Sequence, residues 1–212
     1  MRNVMMKGLV AILCLLIMAG GANAGRWFKV KERKEPVTKK SVLVFPFDIA
    51  SETQVPATVS KDLADAAKDS LQKNSALSVI VYSDKLSAIQ RAIQIDRSLN
   101  QKEADGPYSE DKEKAMKIAK TCNADYFLAG AVDAYSFDSE KKIVSVTLSA
   151  QLYDVKTGMV INAFSATGKN NESDKASNVD GLAGIAMADA IKKLELEKVK
   201  VTENSAAAST NK

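Results

Sequence analysis

Between residues 144 and 152 the chain alternates without a break. Val144, Val146, Leu148, Ala150 and Leu152 fall on one parity, and Ser145, Thr147, Ser149 and Gln151 on the other. Successive side chains of an extended strand point to opposite faces, so this segment reads as a strand with one face in a core and the other in water. A helix would scatter the same apolar residues around its circumference. The chain is therefore expected to contain an antiparallel strand with a free face.

The neighbouring segments extend this into a meander of strands at about 124–137, 141–154 and 159–168. Its connections, 138–141 and 154–158, are of hairpin length, and the second ends on Gly158, where a left-handed residue is wanted. Upstream, Ser41–Phe47 is a short apolar run suited to a strand covered on both faces, with Pro46 at its end because proline cannot donate to a ladder. Leu77–Tyr82 reads as a further strand, parallel to the first across a crossover helix.

Helical spacing places Val59, Leu63, Ala66, Ala67 and Leu71 on one stripe within 57–74. A second helix, capped by Ser83 or Asp84, carries Leu86, Ile89, Ala92 and Ile93. A third opens at Ser109 and turns Ala115, Ile118, Ala119 and Cys122 inward, and a last one spans 179–194. The order β-α-β-α-α-β-β-β-α gives an α/β class with an α+β tendency: a mixed sheet of about five strands with helices packed on it. Residues 95–108 lack a period and read as a loop, functional or mobile.

Arg2 and Lys7 precede an apolar run, and Ala22-Asn23-Ala24 follows, the pattern of an export signal cut between Ala24 and Gly25. The apolar run is about half the roughly 20 residues a membrane span needs, so a retained tether is the alternative reading. The expected organisation is a signal at 1–24, a basic leader at 25–40, one domain at 41–196 and a disordered tail at 197–212. Removing the signal leaves Cys122 as the one cysteine, so the exported domain has no internal disulfide and must be held by burial.

The leader, Arg26–Lys40, holds seven Lys/Arg against Glu32 and Glu35, a local charge of 7 − 2 = +5. It has the means for peripheral contact with an anionic membrane, and a solvated connector is the competing reading. Nucleic acid is not expected as a partner, because this charge does not lie on a folded face with interleaved aromatics.

The chain has no histidine. Ser-His-Asp and Cys-His catalysis, His-ligated zinc and imidazole proton transfer are thereby excluded. Asp48, Asp133, Asp138 and Asp154 lie near strand ends, but no clustered acidic motif joins them, and each has a turn or strand-end explanation. No catalytic residue, cofactor or metal site is assigned.

Three features together carry a family resemblance: the run Ala124–Val132, the strand Val144–Asp154 leading into Val155-Lys-Thr-Gly158, and the small-residue terminal helix, with Val42–Phe47 as the opening strand. The chain resembles the CsgG-like and TolB amino-terminal-like domains of bacterial envelope proteins. These relatives include the curli secretion lipoprotein and the lipoprotein activators of penicillin-binding proteins. The resemblance implies an α/β sandwich that binds envelope components without catalysis. The hairpin connections are too short for an inserted pore segment, so no channel is expected.

The expected function is that of an exported, non-enzymatic domain, periplasmic or extracellular, which binds a protein or cell-wall partner, with a role in envelope assembly or secretion. Its expected contact surface is Ser145, Thr147, Ser149, Gln151 and Tyr153, with the 95–108 loop beside it; plain solvation of that face is the competing reading. The rival class is an enzyme that binds a small ligand or metal where Asp48 and Asp133 converge in a pocket.

Overall fold

The computed structural model describes residues 38–50, 55, 59–174 and 178–200. The expected signal, the leader up to residue 37 and the chain beyond 200 lie outside the described residues. Six strands form one mixed sheet: β1 Lys40–Val44, β2 Asp48–Ile49, β3 Leu77–Val81, β4 Tyr126–Asp138, β5 Ile143–Asp154 and β6 Val160–Lys169. Their spatial order is β3-β1-β4-β5-β6, with the two-residue β2 pairing alongside β4. β3, β1 and β4 run parallel, and β4, β5 and β6 form the antiparallel meander. The α-helices among the described residues are α1 Val59–Gln72, α2 Ser87–Gln94, α3 Gln101–Ala104, α4 Lys112–Thr121 and α5 Val179–Lys193. The expected α/β class and mixed sheet are present, with β2 and α3 as additions.

Alternation divides the interior in two. Val42, Val44, Leu128, Val132, Val146, Leu148 and Leu152 turn to one face, where they meet Leu63 and Leu71 of α1 and Leu182, Ala186 and Ile191 of α5. Leu43, Phe45, Phe127 and Tyr153 turn to the other face and meet Ile89 of α2 and Ala115 and Ile118 of α4. The two cores differ in reach. The α1/α5 core runs under the whole meander, whereas the second core contains no residue of β6 and only Tyr153 of β5.

The second core is aromatic. Phe45 stacks on Tyr108 at 4.6 Å between ring centroids and contacts Tyr82 at 5.1 Å and Phe127 at 6.0 Å. Both tyrosine hydroxyls donate to the Ala104 carbonyl, from Tyr82 at 2.6 Å and from Tyr108 at 2.8 Å. The segment expected to be an irregular loop is thus anchored. Leu99, Ala104 and Tyr108 are buried, and α3 is closed by a reciprocal capping box between Asn100 and Glu103. Desolvation by burial pushes the Tyr82 hydroxyl up to about 12; burial also raises Tyr108. A raised acid pKa keeps the proton on the folded chain, so stability is full below the unfolded value of about 10 and lost as pH rises through the folded one. Thermal melts are expected to stay level up to about pH 10 and then fall steeply towards pH 12. Replacing both tyrosines with Phe should flatten that alkaline limb.

Several boundaries differ from the sequence reading, each for a local reason. α2 starts after Leu86 without a side-chain cap, because Ser83 closes a preceding turn by accepting from the Lys85 N–H. α4 is capped by Asp111, and Ser109 is committed elsewhere. Lys40 belongs to β1 and pairs with Asp125 at 3.3 Å, so the leader stops short of it. The expected tail boundary at 197 cuts through a 3-10 turn, Leu196–Lys198, whose Leu196 and the following Val199 are buried in the α1/α5 core.

Candidate partner-binding surface

Among the described residues, no helix lies over the β4–β6 half of one sheet face. α2, α3 and α4 cover β1 and the first half of β4, leaving Ser78 and Ile80 of the edge strand β3 exposed, and their layer ends at Tyr153. Beyond it lies an open floor of short side chains in cross-strand rows. Ser136, Ser145 and Lys169 form one row, Ala134, Thr147 and Thr167 the next, and Ala131, Ser149 and Ser165 a third. A fourth is Ala129, Gln151 and Ala163, where Ala129 already lies under the helical layer. Thr147 and Thr167 share a hydroxyl hydrogen bond at 3.0 Å, and Ser149 donates to Asp133 at 2.9 Å.

The reverse side of this floor is dry. Val144, Val146 and Leu148 are fully buried against α5 and its neighbours, which fixes β5 as a rigid support. Opposed polarity across one strand is what the alternation predicts. A register shift between Val132 and Ala134 lets β4 hold both Val132 in the core and Ala134 on the open side.

Of the five surface residues expected from sequence, Ser145, Thr147 and Ser149 are half-exposed and Gln151 is exposed, all on this floor. Tyr153 is a correction. It shares their parity, but α4 covers that end of the strand: its ring stacks on Phe127 at 4.7 Å, with the Lys112 ammonium 5.6 Å away, and 8% of it is exposed. Its hydroxyl donates to the Gln151 side-chain oxygen. A notch of about 220 Å³ lies where the helical layer stops, lined by Ser109, Ala129, Ala131, Ser149, Gln151 and Tyr153 among others.

Asp48 holds the wall of this notch. Its carboxylate accepts from Tyr108 N–H at 2.8 Å, Ser109 N–H at 2.5 Å and Ser109 Oγ at 2.6 Å. This is the commitment that keeps Ser109 out of α4. Asp133 is held by Ser149, Asp138 by the Glu140 and Lys141 amides, and Asp154 by the Thr157 amide and hydroxyl. Asp48 thus serves the segment before α4, and the other strand-end carboxylates serve a turn or a neighbouring strand. Among the described residues no three acidic or cysteine side chains form a metal-binding group. Cys122 caps α4, half-buried, and burial raises its thiol pKa, away from the reactive thiolate.

The sequence reading missed the contributions of β4 and β6 to the floor. In β6 the alternation of Ala163, Ser165, Thr167 and Lys169 against Phe164, Ala166 and Gly168 is present, but small residues on both parities mask it.

With this surface defined, comparison with known proteins is informative. The model of the peptidoglycan-synthase activator LpoB matches residues 38–163, more than half of the 212-residue chain. The chain belongs to the LpoB family. Family members are activators, so the family role is carried by binding a partner and not by catalysis. This supports the activator branch of the resemblance read from sequence; the curli and TolB names are not what the match supports. A search of curated proteins found no match.

Among solved structures, the PelC dodecamer from Paraburkholderia phytofirmans is 18% identical over 77% of this chain and 91% of its own, with a TM-score of 0.50. The LpoB C-terminal domain from Escherichia coli is 19% identical over 63% of this chain and 84% of its own, with a TM-score of 0.42. Lipoprotein GNA1162 from Neisseria meningitidis is 16% identical over 68% and 92%, with a TM-score of 0.43. At these identities the PelC likeness is one of fold. Among the described residues no helix is long and apolar enough to cross a membrane.

Proposed function

We propose that this chain docks a peptidoglycan synthase of the cell envelope through the open floor of β4, β5 and β6, and thereby raises that enzyme's activity. The observation that carries the reading is the uncovered half-face itself, formed by three strands whose reverse side is packed against α1 and α5. Membership of the LpoB family supports the class of partner.

The floor suits docking on physical grounds. Its Ser, Thr and Ala side chains have little rotamer freedom to lose, and the buried reverse side already holds the backbone in place, so few of the usual ordering costs of association apply. Paired hydroxyls offer both donors and acceptors, as a polar, non-obligate interface requires. The notch beside Ser109 gives the floor an edge against which one side chain of a partner can seat. Activation follows if the floor binds the active conformation of the synthase more tightly than the resting one.

A methyl-resolved titration of the full chain with purified peptidoglycan synthase locates the contact. Ala131, Ala134 and Ala163 should shift, while Ala64, Ala67 and Ala115 of the interior should not. Shifts confined to the helical side of the molecule would contradict the proposal.

A further inference from the structure

β6 is the outer strand of the meander, and among the described residues one of its edges has no neighbouring strand. Two contacts fix which of its backbone groups face outward. The Lys169 N–H donates to Asp189 at 3.1 Å, and the Thr167 carbonyl accepts from the Lys193 ammonium at 3.0 Å. Both acceptor and donor lie on α5, so residues 167 and 169 turn their peptide groups away from β5. By alternation Ala163 and Ser165 do the same. The Asp189–Lys193 pair, 2.7 Å apart, closes the edge at its upper end. No partner among the described residues closes it at 163 and 165.

Edge strands of native proteins are guarded by charge, proline, a bulge or a covering element. From Met159 to Gly168 this strand has neither charge nor proline, and its register shift near Tyr153 affects only its first residues. Met159 and Val160 are 67% and 46% exposed at its start. A groove of about 500 Å³ runs beneath the same edge, lined by Ile161, Phe164, Leu194 and Val199 with Glu195 and Lys198 among the other residues.

We propose that this edge pairs antiparallel with the same edge of a second copy of the chain. A two-fold axis requires a self-complementary surface, and an uncharged strand with small side chains on one face and one phenyl ring on the other supplies it. Outward groups must meet outward groups, and α5 already occupies those of Thr167 and Lys169, so the register that uses both open residues sets Ala163 of each copy against Ser165 of the other, giving four backbone hydrogen bonds. Phe164 then lies on the axis opposite itself, and the two rings meet over the paired grooves as an aromatic cross-strand pair. Lys169 falls beyond the central bonded pairs, so no like charges are pressed together there. The sheet runs unbroken through both copies and sets the two open floors side by side.

Sedimentation of the full chain over a concentration series tests this directly. The wild-type chain should dimerise reversibly. Ser165→Pro removes an outward N–H from each copy without touching the ladder to β5, and should weaken the dimer about tenfold or more. Ala163→Lys, which leaves every backbone group in place, should do the same by like-charge repulsion. In a Cys14→Ser, Cys122→Ser background, Phe164→Cys should cross-link on oxidation, since directly opposed residues of a non-hydrogen-bonded pair lie about 4.5 Å apart, within disulfide reach. Ser145→Cys should not. A wild-type chain that stays monomeric, a dimer unaffected by both edge variants, or a Phe164→Cys dimer that fails to cross-link overturns the proposal. So does a monomer whose Ala163 and Ser165 amides gain protection only when synthase is added, which assigns the edge to a foreign strand.

Discussion

Gly168→Val is expected to cost the domain about 3 kcal/mol or more, at or beyond the usual upper limit for overpacking, and to be read as a large fall in urea midpoint. A Cβ at this position would lie 2.0 Å from the Ala186 carbonyl oxygen and 2.4 Å from the Ala190 nitrogen. Both are main-chain atoms of α5, so no side chain can rotate aside and the helix itself must lift from β6. α5 contributes Leu182, Ala183, Ala186, Met187, Ala190 and Ile191 to the interior, so lifting it opens the core that supports the docking floor. Gly184 lies on the same helix, with nothing within 4 Å of the equivalent Cβ. Gly184→Ala should therefore stabilise, by about 0.5–1 kcal/mol, through helix propensity alone. Opposite signs at two glycines of one packed pair would separate close approach from general intolerance of substitution.

Phe45→Ala is expected to cost about 3–5 kcal/mol, the range for removing a fully buried aromatic side chain. Phe45 is fully buried and touches Tyr82, Tyr108 and Phe127, so its loss leaves a cavity at the centre of the second core. The damage should be uneven. Tyr108 anchors residues 99–109 to Asp48 and to the Phe45 ring, so that segment should lose amide protection before β5 and β6 do, in native-state hydrogen exchange. Uniform loss across the sheet would mean that the two cores unfold as one.

The alternation at 144–152 was legible because period two is unambiguous when every residue of one parity is apolar, four of the five of them Val or Leu, and every intervening one is polar. It predicted both the buried and the wet side of β5. The same parity misplaced Tyr153, since alternation gives the side of the sheet and says nothing about where a covering helix stops. α3 and the anchored 99–109 segment were not legible for a different reason. Their order comes from contacts distant in sequence, the Asp48 carboxylate and the Phe45 ring, and not from local periodicity. The helix starts at Ser83 and Ser109 failed for a related cause: a serine that can cap can also close a turn or serve a distant carboxylate, and tertiary structure decides which.

The central claim is that the open floor of β4, β5 and β6 is the docking surface for a peptidoglycan synthase. Ser149 lies at its middle, half-exposed, with its neighbours Leu148 and Ala150 buried on the reverse side. Ser149→Arg should leave stability within about 0.5 kcal/mol of wild type, as a surface substitution does. Titration calorimetry of wild-type and Ser149→Arg chains against the purified synthase is the most direct measurement. The account predicts that the variant binds at least about tenfold more weakly, a loss of about 1.4 kcal/mol. Equal affinity, with the fold intact in both chains, would contradict it.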